Sequence, residues 1–279
     1  MKQILAILPE RIRREAEKLP PDVEEIRLRV SNPPGAILHG AERRIANCDA
    51  VTREELERLL RAASAGSLYT AAESLRQGYL TLPGGHRIGV CGTTVLQNGE
   101  IRSMENVSSV CIRVAAQRKG IAKRVENSAL IAGPPGCGKT TFLRDCVRLL
   151  SSGSGLRVGL ADERGEIAAC LDGVQQLDVG EHTDVLTGCP KAKAVDILLR
   201  TMRPEWIAVD EITREEDVQA LIRGAYCGVR LLATAHIDTV RDLQTRPVYR
   251  LLLRSRVFQT LILLQPDHSW TQQPFPNDV

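Results

Sequence analysis

The chain has 279 residues, 43% hydrophobic, 25% charged and 3% aromatic, with a formal net charge of +3. That length suits one large domain or two ordinary ones, and the composition excludes a disordered or collagen-like chain. No run approaches the roughly 20 apolar residues of a membrane-spanning helix, scarce aromatics argue against stacking platforms for single-stranded nucleic acid, and no nucleic acid is expected as a partner.

At the start, Ile4, Leu5, Leu8, Ile12 and Leu19 predict an amphipathic helix bent at Pro9. Its apolar part is interrupted by Glu10 and Arg11, so it lacks the core of a secretory leader and the expected compartment is cytoplasmic. Ile26, Leu28 and Val30 alternate with arginines as a half-buried strand, closed by Asn32-Pro33-Pro34-Gly35. A helix opens at Thr52, with Glu55 completing a capping box. The period then becomes two. Tyr79–Leu82 and Arg87–Val90 flank the turn Pro83-Gly84-Gly85, Thr94–Leu96 and Ile101 flank Asn98-Gly99, and Val110–Val114 reads as a last strand. Residues 1–116 are thus read as a smaller α+β N-terminal domain, and the polar, basic residues 117–127 as a linker. Residues 1–127 carry a net +5 and residues 128–279 a net −2, too slight an asymmetry to demand a polyanionic partner.

The second half has another rhythm. Apolar runs at 129–132, 156–161, 206–209, 229–233 and 261–264 alternate with helical patterns near 139–150, 190–202, 214–227 and 247–256. This predicts βαβ crossovers and a doubly wound, mainly parallel sheet over residues 128–265. Residues 266–279, polar and proline-bearing, are read as a poorly ordered tail. The eight cysteines form no C-x-x-C pair, so neither a zinc ribbon nor a disulfide framework is indicated.

Gly133-Pro134-Pro135-Gly136-Cys137-Gly138-Lys139-Thr140 matches G-x-x-x-x-G-K-[ST] at every fixed position, after an apolar strand and before a helix opening at Thr141. Small residues let consecutive N–H groups and the helix N-terminus wrap a phosphate, Lys139 adds charge toward the β/γ-phosphates, and the Thr140 hydroxyl can ligate Mg²⁺. The expected ligands are ATP and Mg²⁺. Trp206–Val209 ends in Asp210-Glu211, where Asp210 can hold the Mg²⁺ shell and Glu211 can polarise water. Separate groups for the two jobs point to a P-loop ATPase; the alternative is a nucleotide-gated scaffold or nucleic-acid-binding switch with negligible turnover. Leu231–His236 is another buried strand, whose Thr234 or His236 could sense the γ-phosphate. Asp162, Glu163 and Glu166 could support water or metal, or could simply form a solvated loop. Arg164, Arg200, Arg203, Arg214, Arg113, Arg118 and Arg124 are all eligible to complete a neighbouring subunit's site.

The order of phosphate loop, acidic box (Asp162, Glu163), Arg203-Pro204 before the Asp210 strand, and Gly228…Thr234-Ala235-His236 resembles the secretion-ATPase superfamily. Gly78–Arg87, Thr183–Leu186 and Cys189–Ala192 resemble, more specifically, the stage III sporulation protein AA family of spore-forming bacteria. The resemblance implies a RecA-like motor domain and a homo-oligomer, a hexameric ring in the secretion motors. It also implies a mother-cell location, peripheral at the membrane through membrane proteins of the sporulation channel. Glu211, Glu163, His236 and Arg203 are the catalytic candidates on this reading. Related motors hinge at such a linker to close the N-terminal domain over the nucleotide. Those motors usually end the corresponding strand in Gly-Glu, where this chain has Asp210-Glu211.

Overall fold

Residues 1–64, 78–97 and 99–276 are described by this computed structural model. They divide into one unit of Met1–Ala116 with Leu171–Gln176 and a second of Gln117–Cys170 with Leu177–Val279.

In the first unit, Pro9 separates helix α1 (Lys2–Ile7) from α2 (Glu10–Ala16), because proline caps the second helix and cannot continue the first. Helix α3 (Arg53–Ala63) starts with the capping box read from sequence: the Glu55 amide donates to Thr52 Oγ1 at 3.3 Å and the Thr52 amide to Glu55 Oε2 at 3.0 Å. Strands β1 (Glu25–Arg29), β2 (Gly35–Leu38), β3 (Ala41–Arg44), β4 (Tyr79–Thr81), β5 (Arg87–Gln97) and β6 (Glu100–Arg113) form an antiparallel sheet in the order β3-β2-β1-β6-β5-β4. Ile26, Leu28, Ile88 and Ile112 point inward to meet Ile4, Ile12, Leu56 and Leu59 in the core.

Two readings change here. Ile101 and Val110–Arg113 belong to one strand, which pairs with β5 across irregularities between Cys91 and Thr93 and between Val95 and Leu96. A Cβ at Gly92 would lie 2.6 Å from the Glu105 carbonyl oxygen, so only glycine fits that approach. β2 and β3 were not read as strands, because β3 is Ala-Glu-Arg-Arg, exposed throughout. Asn98, read as half of a turn, lies outside the described residues.

In the second unit, β7 (Ala129–Gly133), β8 (Val158–Asp162), β9 (Thr183–Thr187), β10 (Trp206–Val209), β11 (Arg230–His236), β12 (Thr260–Leu264) and β13 (Trp270–Pro274) form a sheet ordered β13-β12-β7-β11-β10-β8-β9. All pairs are parallel except β12–β13. Helices α4 (Lys139–Ser154), α5 (Lys191–Thr201), α6 (Glu215–Tyr226), α7 (Asp242–Thr245) and α8 (Pro247–Ser255) complete it. One core joins Ile207, Leu221, Leu231 and Leu252, and another joins Ile131, Phe142, Leu150 and Trp206.

Residues 117–127, read as a linker, fall within the second unit. Ala122 and Val125 are buried in the second unit's core, and the Ala122 amide donates to the buried Asp145 carboxylate at 3.0 Å. Apolar residues among the charges anchor the segment. Within the tail read from 266 on, Trp270–Pro274 pairs antiparallel with β12, and Pro274 is tolerated because the strand is at the sheet edge. Residues 277–279 lie outside the described residues.

Candidate functional site

Register gathers the sequence-predicted residues. Parallel pairing sets His236 beside Gly133 and Ala233 beside Val209, so the ends of β7, β11 and β10 share one carboxyl edge. That edge is the expected crevice of an open α/β sheet.

The chain leaves β7 at Gly133, where a Cβ would lie 2.6 Å from the Leu264 carbonyl oxygen and 2.8 Å from Cys137 Sγ. Gly136 and Gly138 have φ of 74° and 90°, a left-handed backbone that suits glycine. Pro134, Pro135 and Cys137 complete the turn, and α4 begins at Lys139 with no side chain capping its first amides. Those amides are free to face an anion. Lys139 Nζ folds back into the loop, donating to the carbonyls of Gly133 at 2.8 Å and Pro134 at 2.7 Å. Thr141 follows beside the loop, lining a pocket with Gly136, Cys137 and Gly138.

The Thr140 hydroxyl donates to Asp210 Oδ2 at 3.1 Å, and the Thr234 hydroxyl donates to Asp210 Oδ1 at 2.7 Å. Thr234, fully buried, also accepts the Glu211 amide at 2.7 Å. Glu211 has φ of 44°, a costly conformation for a residue with a Cβ that these bonds hold in place. Burial pushes the Asp210 carboxyl above its ordinary pKa, against the opposing pull of the Thr234 and Thr140 hydrogen bonds. A hydroxyl and a carboxylate oxygen 3.1 Å apart are hard donors of the kind Mg²⁺ takes, and a cation there would offset the carboxylate's burial. Thr140 and Asp210 therefore fit the ion.

Other candidates fare differently. Asp162 is spent on structure: its buried carboxylate accepts the amides of Glu166, Ile167 and Ala168 at 2.9–3.2 Å. Burial raises its pKa, although those backbone bonds pull the other way. Arg144, buried beneath, holds the same turn by donating to the carbonyls of Ile167 at 2.6 Å and Glu166 at 2.7 Å. Glu163 is tied to the buried Lys191 at 2.7 Å. Burial would raise Glu163, but the Lys191 hydrogen bond and charge outweigh it and hold the carboxyl below its usual pKa. Arg164 reaches Glu211 at 3.4 Å, an exposed contact. Arg203 does not join the cluster. It precedes β10, whereas Asp210 and Glu211 follow it, so the strand's full length of roughly 13 Å intervenes.

His236 lies partly buried beside Glu211, the two sharing a cavity of about 440 Å³ with Arg246 and Tyr249. The Tyr249 hydroxyl accepts the His236 amide and donates to its carbonyl, both at 3.2 Å, and Arg246 donates to that carbonyl at 2.8 Å. Sequence reasoning missed Arg246, which sits between α7 and α8, and Tyr249 and Lys191, which lie in helices whose pattern signals only packing.

Residues 1–272 match the family model described as "Sporulation stage III, protein AA". The Stage III sporulation protein AA of Bacillus subtilis (strain 168) is 37% identical over 280 residues, covering 95% of this chain and 91% of that protein. Among solved structures, the pilus retraction motor PilT with bound ADP aligns with a TM-score of 0.63 at 17% identity, covering 92% of this chain and 77% of that one. The Legionella pneumophila ATPase DotB aligns with a TM-score of 0.61 at 16% identity, covering 96% and 82%. These likenesses establish the α/β P-loop fold of the secretion ATPases. Among the described residues no helix is long and apolar enough to cross a membrane. The extent of the family match, carried along nearly the whole sequence, shows that this chain belongs to the sporulation stage III protein AA family.

Proposed function

We propose that the chain is an ATP-binding and ATP-hydrolysing motor of a secretion-like channel or assembly complex, acting in the sporulation channel between mother cell and forespore. The observation that carries this reading is the hydrogen-bonded series Thr140–Asp210–Thr234–Glu211, which joins the end of the phosphate loop to the second carboxylate. In this mechanism the amides of 136–141 and Lys139 bind the phosphates, and Lys139 exchanges its loop carbonyls for phosphate oxygens. Thr140 and Asp210 would hold Mg²⁺, which would supply charge neutralisation for the phosphates. Glu211 orients the attacking water and takes its proton. His236, fixed through its backbone by Tyr249 and Arg246, faces the same space. A homo-oligomeric ring, with another copy's arginine completing each site, and membrane-protein partners on the mother-cell side complete the proposal.

The test compares two variants in one preparation. Lys139→Ala should lose affinity and turnover by on the order of 10²-fold or more, as a removed electrostatic donor does. Glu211→Gln should keep ATP binding and lose about 10²–10⁴ in turnover, the range of a general base. Near-normal ATP turnover in Glu211→Gln overturns the hydrolytic assignment, and a wild type that binds ATP without turnover supports the scaffold instead.

A further inference from the structure

Beside the phosphate loop lies a pocket of about 250 Å³, of which the reading above uses only the loop backbone. Ile121, Phe142 and Leu264 give it apolar walls, the backbone of 136–138 forms one side, and Arg118, Thr141 and His268 bring polar side chains to it. The walls are fixed by the segment after β12. Trp270 packs edge-on against Phe142 at 5.3 Å between ring centroids, and its indole N–H donates to the Ile121 carbonyl at 3.1 Å.

His268 sits in the turn joining β12 to β13, with φ of 66° and its amide donating to the Gln265 carbonyl at 2.9 Å. Its ring Nδ1 lies 3.2 Å from the Cys137 carbonyl oxygen. A carbonyl can only accept, so Nδ1 carries the hydrogen, and Nε2 of the neutral ring is left as an acceptor. The loop itself thus selects the tautomer.

We infer that this pocket takes the heterocyclic base of the nucleotide, and that His268 selects adenine over guanine by accepting the exocyclic amine of adenine on Nε2. The inference rests on the phosphate-loop reading and adds the part of the ligand that reading leaves unspecified. Adenine carries an amine donor at the ring position where guanine carries a carbonyl, which would set acceptor against acceptor. Apolar walls with a few directed polar groups are the composition of a site for such a ring.

The experiment titrates the full-length wild type, His268→Ala and Lys139→Ala with ADP, GDP and inorganic pyrophosphate in the presence of Mg²⁺, by calorimetry. The wild type should favour ADP over GDP by at least about fivefold, and His268→Ala should bring the ratio near unity, the effect of one hydrogen bond. Pyrophosphate, which has no base, should bind the wild type and His268→Ala alike. An unchanged ADP/GDP ratio in His268→Ala, with Lys139-dependent binding intact, overturns the base assignment and leaves the phosphate loop standing. Equal losses of ADP and pyrophosphate affinity would make His268 a prop for the loop and likewise overturn it. If Lys139→Ala binds ADP as the wild type does, the phosphate-loop reading falls and takes this inference with it.

Discussion

Thr234 accepts the Glu211 amide on its hydroxyl at 2.7 Å while giving its own hydrogen to Asp210. One buried hydroxyl therefore sets both the carboxylate that would hold the metal and the left-handed backbone that aims the other carboxylate. Thr234→Val, nearly the same shape, should leave two polar groups unpaired and lower unfolding free energy by about 2 kcal/mol. Turnover should fall by more than the folded fraction accounts for, with kcat changing more than KM, and Thr234→Ser should restore most of both. Steady-state kinetics beside urea denaturation separate the two effects; unchanged kcat in Thr234→Val removes Thr234 from the positioning of Glu211.

Asp162 carries a different weight. Three amides converge on its carboxylate, so Asp162→Ala should orphan several buried donors at about 1–3 kcal/mol each. Urea midpoints should drop clearly. A loss of activity at full stability would return Asp162 to the chemistry.

Arg203 and Glu211 stand at opposite ends of β10, so a role for Arg203 at a site requires a second copy of the chain. Mixing Arg203→Ala with Lys139→Ala, each inactive alone on this reading, should recover part of the wild-type turnover. Specific activity should also rise with protein concentration. A trans arginine in other P-loop enzymes contributes about 10³–10⁵ in rate, so the recovery is easily measured. Full activity of Arg203→Ala alone eliminates this arginine.

His86 is buried, its Nδ1 accepts the Ala115 amide at 3.0 Å, and burial pushes its pKa from 6.5 down to about 4. The folded chain holds it neutral while the unfolded chain protonates near 6.5, so its contribution is complete above pH 6.5 and declines as pH falls toward 4. Thermal melts from pH 7 to pH 4 should therefore show a smaller acid loss for His86→Gln, whose amide oxygen can still take the Ala115 hydrogen. Parallel acid losses would mean His86 titrates normally.

The centre of the second unit's sheet is legible in sequence because its strands are buried on both faces. Ala129–Gly133, Val158–Ala161 and Trp206–Val209 are unbroken apolar runs, and a phosphate loop declares itself by spacing. Thr52 and Glu55 announce α3 for a similar reason, since a cap is a local contact between near neighbours. What is hidden depends on partners distant in sequence. β3 and β13 are polar edge strands with no apolar face to show, and the ordering of Ile121 and Ala122 depends on Trp270 and Asp145. Lys191 reads as an ordinary helix lysine until Glu163 and Asp217 are found beside it, 2.7 and 4.0 Å away.

Leu171–Gln176 belongs to the first unit although it follows β8 of the second, and the Gln176 side chain accepts the Gly84 amide at 2.9 Å. The ribosome delivers the chain in order, and the 60 residues from Gln117 to Gln176 must emerge before that amide meets its acceptor. At about 5–20 residues per second, this delay is on the order of 3–12 s. The N-terminal unit thus cannot reach its finished form before β7, α4 and β8 have already been made, and its maturation in the cell is timed by the synthesis of the phosphate-loop segment.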